Sequence, residues 1–199
     1  MPPLPREFYR RDPRQVAPEL LHKVLVRGPC RGLIVETEAY CGPIDPASHA
    51  YRGRTRRNAT MFGPPGHLYV YFTYGMHWCA NAVCGDEGEG VAVLLRALRP
   101  AAGLEEMWRR RPAARREWDL CRGPARLCQA LGIDGSADGD DLVTEAGGTT
   151  IVDAGVPPPE EVVRTPRIGI SVATEERWRW YSGGDPNVSV GPRPGRRRA

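Results

Sequence analysis

Residues 32–40 (GLIVETEAY) read as a β-strand that carries two carboxylates on one side. Strict alternation places Leu33, Val35, Thr37 and Ala39 on one face and Ile34, Glu36, Glu38 and Tyr40 on the other. A strand this apolar belongs to a core, and a core holds ionised carboxylates only where a cation or a site accounts for them. A second apolar strand, VAVLLRAL (residues 91–98), poses the complementary problem, because Arg96 interrupts it and needs a carboxylate. An ion pair between a strand glutamate and Arg96 meets both demands and keeps the carboxylate ionised and oriented.

Between these strands lies an aromatic hairpin pattern. His67 to Tyr74 (HLYVYFTY) and His77 to Val83 flank Gly75-Met76, with Tyr74 at the tip. Residues 41–66 form a long loop rich in Gly, Pro and Arg, holding His49 and the basic run Arg52, Arg54, Arg56 and Arg57. A loop of that length inside a compact chain is more often functional than idle. Asp12-Pro13 reads as a helix start, and Val16, Leu20, Leu21, Val24 and Leu25 continue at helical spacing with an irregularity at Pro18. Leu104, Met107 and Trp108 predict a helix ending at Arg109–Arg111, and Gly123-Pro124 opens another that Gly132 closes. Residues 134–150 read as an acidic, Gly-rich surface excursion, and residues 167–171 as a late strand. Trp178, Trp180 and Tyr181 supply aromatic packing. With neither repeat nor linker, residues 1–199 are expected to form one mixed domain, with 192–199 a disordered Arg-rich tail.

Composition removes several classes. No apolar run approaches a membrane span, and the N-terminus lacks the apolar core of a signal peptide, so a cytoplasmic protein is expected. Six cysteines form no CxxC pair and four histidines no HxxxH or HExxH spacing, which argues against zinc and iron–sulfur sites. The expectation is buried, reduced thiols and neither metal nor cofactor. Of 28 basic residues one is lysine, Lys23, leaving almost no amine for Schiff-base chemistry. Carboxylate, guanidinium, strand tyrosines and loop arginines together fit a nucleobase pocket on a nucleic-acid surface. Taken singly, each also fits an ordinary salt bridge or half-buried strand packing.

Longer stretches add specificity. VETEAYCGPIDPASHA (35–50), RNATMF (57–62), GHLYVYFTYGMHWCAN (66–81), VAVLLRALRP (91–100), CRGPARLCQALGI (121–133) and RIGIS (167–171) together resemble the alkyladenine DNA glycosylase family, the mammalian-type 3-methyladenine DNA glycosylases. The resemblance covers nearly the whole chain and implies a bacterial member. It implies an α+β fold: a single compact domain with a curved, mainly antiparallel sheet surrounded by helices, and a protruding β-hairpin. It makes Glu38 the general base for a water and Arg96 the group that holds water and carboxylate. Tyr40, His49, Tyr71, Asn81 and Leu94 become the base pocket, with the His49 N–H on the base edge and Asn81 crowding guanine. Tyr74 with Met76 becomes the wedge that replaces the flipped base, and Arg57, Asn58 and Ser171 face the DNA backbone. Glu36 is left as a structural carboxylate. The implied partner is double-stranded DNA with damaged purines, bound by a monomer and cleaved without a lyase step. The competing reading is a non-catalytic binder of damaged DNA or structured RNA, which has no need of the Glu38–Arg96 pair.

Overall fold

The computed structural model describes residues 1–190; the Arg-rich tail read from the sequence at 192–199 lies outside them. Eight strands make one sheet: β1 (Val24–Arg27), β2 (Cys30–Tyr40), β3 (Leu68–Thr73), β4 (His77–Cys84), β5 (Val91–Ala102), β6 (Thr149–Val152), β7 (Val162–Thr165) and β8 (Arg179–Ser182). Every pairing is antiparallel, in the order β3-β4-β5-β2-β1-β6. Strand β2 is long enough to take two neighbours along one edge, β1 over Cys30–Leu33 and β8 over Glu36–Glu38, with β7 outside β8. The result is a curled antiparallel sheet in an α+β chain.

The helices are short: α1 (Arg6–Tyr9), α2 (Pro13–Glu19), α3 (Leu104–Arg110) and α4 (Pro124–Leu131). Their buried residues, among them Val16, Met107 and Leu127, join one cluster with Val70, Ala80, Ala82, Val93 and Leu95 of the strands. One sheet face therefore carries the main core. The residues that alternate with these, Tyr69, Val83 and Ala92, face the other way and pack with Ala50 and Met61 of the long 41–66 loop. That loop keeps its order through two short 3-10 turns, Gly42–Ile44 and Ala59–Phe62. Among the described residues no helix is long and apolar enough to cross a membrane. All six cysteines are buried free thiols.

The Asp12 cap, the αL closure of α4 at Gly132 (φ 71°) and the 73–77 hairpin turn follow the sequence reading. Four expectations are corrected. The helix capped by Asp12, α2, stops at Glu19, and Val24 and Leu25 lie in β1, because His22 turns the chain at φ 64° and its N–H is taken by Ile34 O. Spacing alone did not separate these outcomes, since apolar pairs at 20–21 and 24–25 satisfy either element. Residues 134–150 are no surface excursion: Ala137, Asp140, Leu142 and Thr149 are buried, and the segment runs into β6. Residues 167–171 form a loop, and the late strands lie on either side of it, at β7 and β8.

The fourth correction bears on the site. The β2–β5 ladder pairs Ile34 with Leu98, Glu36 with Ala97 and Thr37 with Leu95, so Val35 on one strand and Arg96 on the other are skipped. An extra residue reverses the side-chain alternation. Ile34 consequently turns into the main core with Leu95 and Leu98, away from the face where the sequence placed it beside the glutamates.

Candidate active site

On the face opposite the main core, β2, β3, β4 and β5 floor a cleft of about 320 Å³, at the small end for ligand pockets. Tyr40, His49, Tyr71, Asn81, Leu94 and Arg96 all line it, so the predicted pocket residues converge. Alternation explains the convergence. Tyr69 and Tyr71 on β3, Cys79 and Asn81 on β4, and Leu94 and Arg96 on β5 lie two residues apart on one face. The 41–66 loop supplies His49 and Met61 as one wall, and Ile168, Gly169 and Ile170 supply another.

The walls are flat and aromatic. His49 meets Tyr71 edge-on with centroids 4.4 Å apart, and Tyr71 lies 5.5 Å from Tyr69. His49 Nδ1 is 3.1 Å from the Tyr69 hydroxyl. Burial, with the Arg57 charge adding to it, pushes the His49 pKa down, which keeps its imidazole neutral. Asn81 donates its amide to Tyr69 O (3.1 Å), which leaves its Oδ1 as the group available to a ligand.

Beneath the floor, the two strand glutamates have separate surroundings. Glu36 Oε1 accepts from Arg96 Nε (2.9 Å), Arg179 Nε (2.6 Å) and Ser189 Oγ (2.9 Å), and Oε2 from Ser189 N–H (2.7 Å). Burial works to raise its pKa, but the two guanidinium groups and the Ser189 N–H outweigh it and hold the carboxyl below its ordinary value. Glu38 has one guanidinium, Arg96 Nη1 at 3.1 Å from Oε2, together with two neutral donors, Tyr40 Oη (3.1 Å) and the Ile168 N–H (2.8 Å, on Oε1). Here burial prevails over Arg96 and the Ile168 N–H, with the Glu36 charge adding to it, and the carboxyl sits above its ordinary value. Tyr40, its own pKa raised well above the ordinary value by burial and by Glu38, stays a phenol and donates. Glu38 has no accessible surface, yet Tyr40, Arg96 and Ile168, its three contacts, each line the cleft. A carboxylate so placed is suited to taking a proton from a group at the floor.

The remaining predicted residues divide. Tyr74 stands at the hairpin tip, 81% exposed at φ 51°, and reaches the cleft rim, while Met76 beside it is exposed and does not line the cleft. Arg57 is exposed and ties the loop to the hairpin through Phe72 O (2.7 Å); Ser171 is exposed next to the 168–170 wall. Asn58 is corrected. It is buried, accepting from Thr55 N–H and donating to His49 O (2.9 Å) and Gly53 O (3.1 Å), so its side chain is spent on holding His49 and is not free for a DNA phosphate. Missed in the sequence were Cys79 as a lining residue, the Ile168 N–H on Glu38, and a buried Arg167–Asp45 ion pair behind Tyr40. The alternation that picks out Tyr71 and Asn81 also picks out Tyr69 and Cys79; a backbone donor from a loop carries no such signal.

The methylpurine-DNA glycosylase family model matches residues 7–186. A protein of Burkholderia lata is 59% identical over 94% of this chain and 90% of its own length. One of Streptomyces avermitilis is 51% identical over 94% and 91%, and one of Rubrobacter xylanophilus 51% over 88% and 90%. All three carry the name "Putative 3-methyladenine DNA glycosylase". The chain thus belongs to the methylpurine-DNA glycosylase family and is a DNA glycosylase, a hydrolase of N-glycosyl bonds.

Proposed function

We propose that this glycosylase turns an alkylated or deaminated purine out of duplex DNA into the cleft and hydrolyses its bond to deoxyribose with a water deprotonated by Glu38. 3-Methyladenine is the first candidate substrate, named for the relatives, with hypoxanthine, ethenoadenine and 7-methylguanine as further ones. The observation that carries the reading is the difference between Glu36 and Glu38. Both are buried, but the first is saturated by cations and the second is raised above its ordinary pKa beside the cleft. A raised pKa makes the carboxylate a stronger base, and its charge opposes the positive charge that grows on the sugar as the bond breaks. Since Glu38 has no accessible surface, the water is drawn to it at the seam where Tyr40 and Arg96 meet.

His49, Tyr71 and Tyr40 stack or pack on the flipped ring, and Asn81 Oδ1 meets its edge, where a guanine amine is crowded. Tyr74 fills the gap in the duplex, as side-chain wedges do in other minor-groove binders. Lys23 pairs with Asp153 and does not line the cleft, so water is the nucleophile and an abasic site the product.

The test is Glu38→Gln with a methyladenine- or hypoxanthine-containing duplex. Binding should persist while single-turnover base release falls by about 10²–10⁴-fold, the usual contribution of a general base. Strand scission should appear in the wild type only after alkali. Undiminished release by Glu38→Gln refutes the role of Glu38.

A further inference from the structure

The Arg167 side chain has no accessible surface and forms a planar two-bond contact with Asp45, Nη1 to Oδ2 at 2.6 Å and Nη2 to Oδ1 at 2.8 Å. Nη1 also donates to Ala39 O (3.0 Å), at the end of β2. The guanidinium carbon lies 4.7 Å from the centre of the Tyr40 ring and 5.0 Å from that of Trp178. The Asp45 carboxylate further accepts the N–H groups of Cys41 (3.2 Å) and Ala47 (3.1 Å), which shapes the start of the 41–66 loop. Burying such a pair is expensive, more so because Arg167 Nε finds no partner. What a charged pair supplies that an apolar one does not is direction, through the rigid fork of the guanidinium.

We propose that Arg167 and Asp45 are positioning residues for the glycosylase reaction, holding in place the two neutral donors that orient Glu38. The proposal rests on the reading of Glu38 as the base. One donor, the Tyr40 hydroxyl, belongs to the ring packed on the Arg167 guanidinium; the other, the Ile168 N–H, is one peptide bond from Arg167. Neither member of the pair bonds Glu38, so each acts through these donors. The same clamp joins two cleft walls, since Asp45 shapes the loop bearing Ala47 and His49 while Arg167 leads into Ile168–Ile170.

Asp45→Asn separates positioning from simple electrostatics, because the two have opposite signs. The charged and titratable groups around Glu38 are Arg96 from β5, Cys79 from β4, Arg179 from β8, Glu36 and Tyr40 from its own strand, and Arg167. Asp45→Asn leaves all of these and removes a negative charge, which by itself favours the ionised form of Glu38. Loss of the two donors favours the protonated form instead. The expected result is an acid limb of the single-turnover pH–rate profile displaced upward by about one unit, corresponding to a tenfold change in the protonation equilibrium. At any pH on that limb release should fall about tenfold, with the Kd for lesion duplex within about threefold of wild type. The limb is read on the folded fraction, so partial loss of stability does not imitate it.

Arg167→Lys keeps the charge but not the fork or the stacking, and should move the limb in the same direction. A limb that stays or moves down in both variants overturns the proposal, as does failure of both to fold. Glu38→Gln, measured alongside, distinguishes the two failures. Full activity there defeats the reading of the base; an inactive Glu38→Gln beside clamp variants of wild-type rate and limb defeats the clamp alone.

Discussion

Glu36 and Glu38, two residues apart on one strand, should respond oppositely to neutralisation. Glu36 has a lowered pKa in the fold, so its stabilisation is present above the ordinary value of 4.5 and is lost as the pH falls through the lowered one. Glu36→Gln leaves two guanidinium groups without their shared partner, a change of the kind that costs about 3–5 kcal/mol. Glu38 has a raised pKa, so its ionised form costs stability that grows as the pH rises from 4.5 to the folded value. Glu38→Gln should therefore be neutral or gain on the order of 1 kcal/mol at pH 8, roughly 2–4 °C in Tm for a chain of this size. That gain should vanish by pH 4. Thermal melts of the two variants across this range check the asymmetry, and equal losses at pH 8 would refute it. Such an asymmetry matches the proposed role of Glu38 as the base, since activity is commonly traded against stability.

At the scale of elements, the hairpin tip shows a similar conflict. Tyr74 holds φ at 51°, where a non-glycine residue pays about 1–2 kcal/mol, and its ring is almost fully exposed. Among the described residues no packing on the exposed ring repays that cost, whereas a duplex that received the ring, as proposed, would. Tyr74→Asn, which tolerates this backbone geometry better, should keep or raise Tm by up to about 1 kcal/mol equivalent. It should also weaken capture of lesion duplex at least tenfold, measured by titration; unchanged affinity would remove Tyr74 from the interface. The hairpin, with its turn after Thr73, was legible because alternating aromatics bracket Gly75. Tyr71 was legible as one of those aromatics and the Glu–Arg pairing because a buried Arg96 demands it, whereas Asn81 and Leu94 were reached only through the family resemblance. The twin bulges at Val35 and Arg96 were not, since a register shift exists only between strands and leaves each strand's own pattern plausible. Nor was the 167–171 loop: Arg-Ile-Gly-Ile-Ser alternates like a strand, but burying Arg167 against Asp45 and aiming the Ile168 N–H at Glu38 requires the chain to leave the sheet.

Across the whole molecule, a formal charge of +4 understates what a polyanion meets. Many arginines are already paired with carboxylates of the chain: Arg6 with Asp141, Arg27 with Asp140, Arg96 and Arg179 with Glu36, Arg99 with Asp185, and Arg167 with Asp45. In contrast, Arg52, Arg54 and Arg56 are exposed, and no carboxylate among the described residues pairs with them. They sit on the loop that also carries His49, a residue of the cleft wall. Each phosphate neutralised by such a residue releases condensed counterions and adds about 0.9 to the steepness of log K against log salt. Replacing Arg52, Arg54 and Arg56 together by Gln should therefore flatten that slope by roughly 2–3 units. The loss of affinity should be similar for lesion and undamaged duplex, because phosphate contacts carry no base information. Single-turnover release at saturating enzyme should stay near wild type, since none of the three lines the cleft or touches Glu38. A slope unchanged within half a unit would move the DNA off this loop, and a loss confined to lesion duplex would mean that the arginines act on the flipped nucleotide itself.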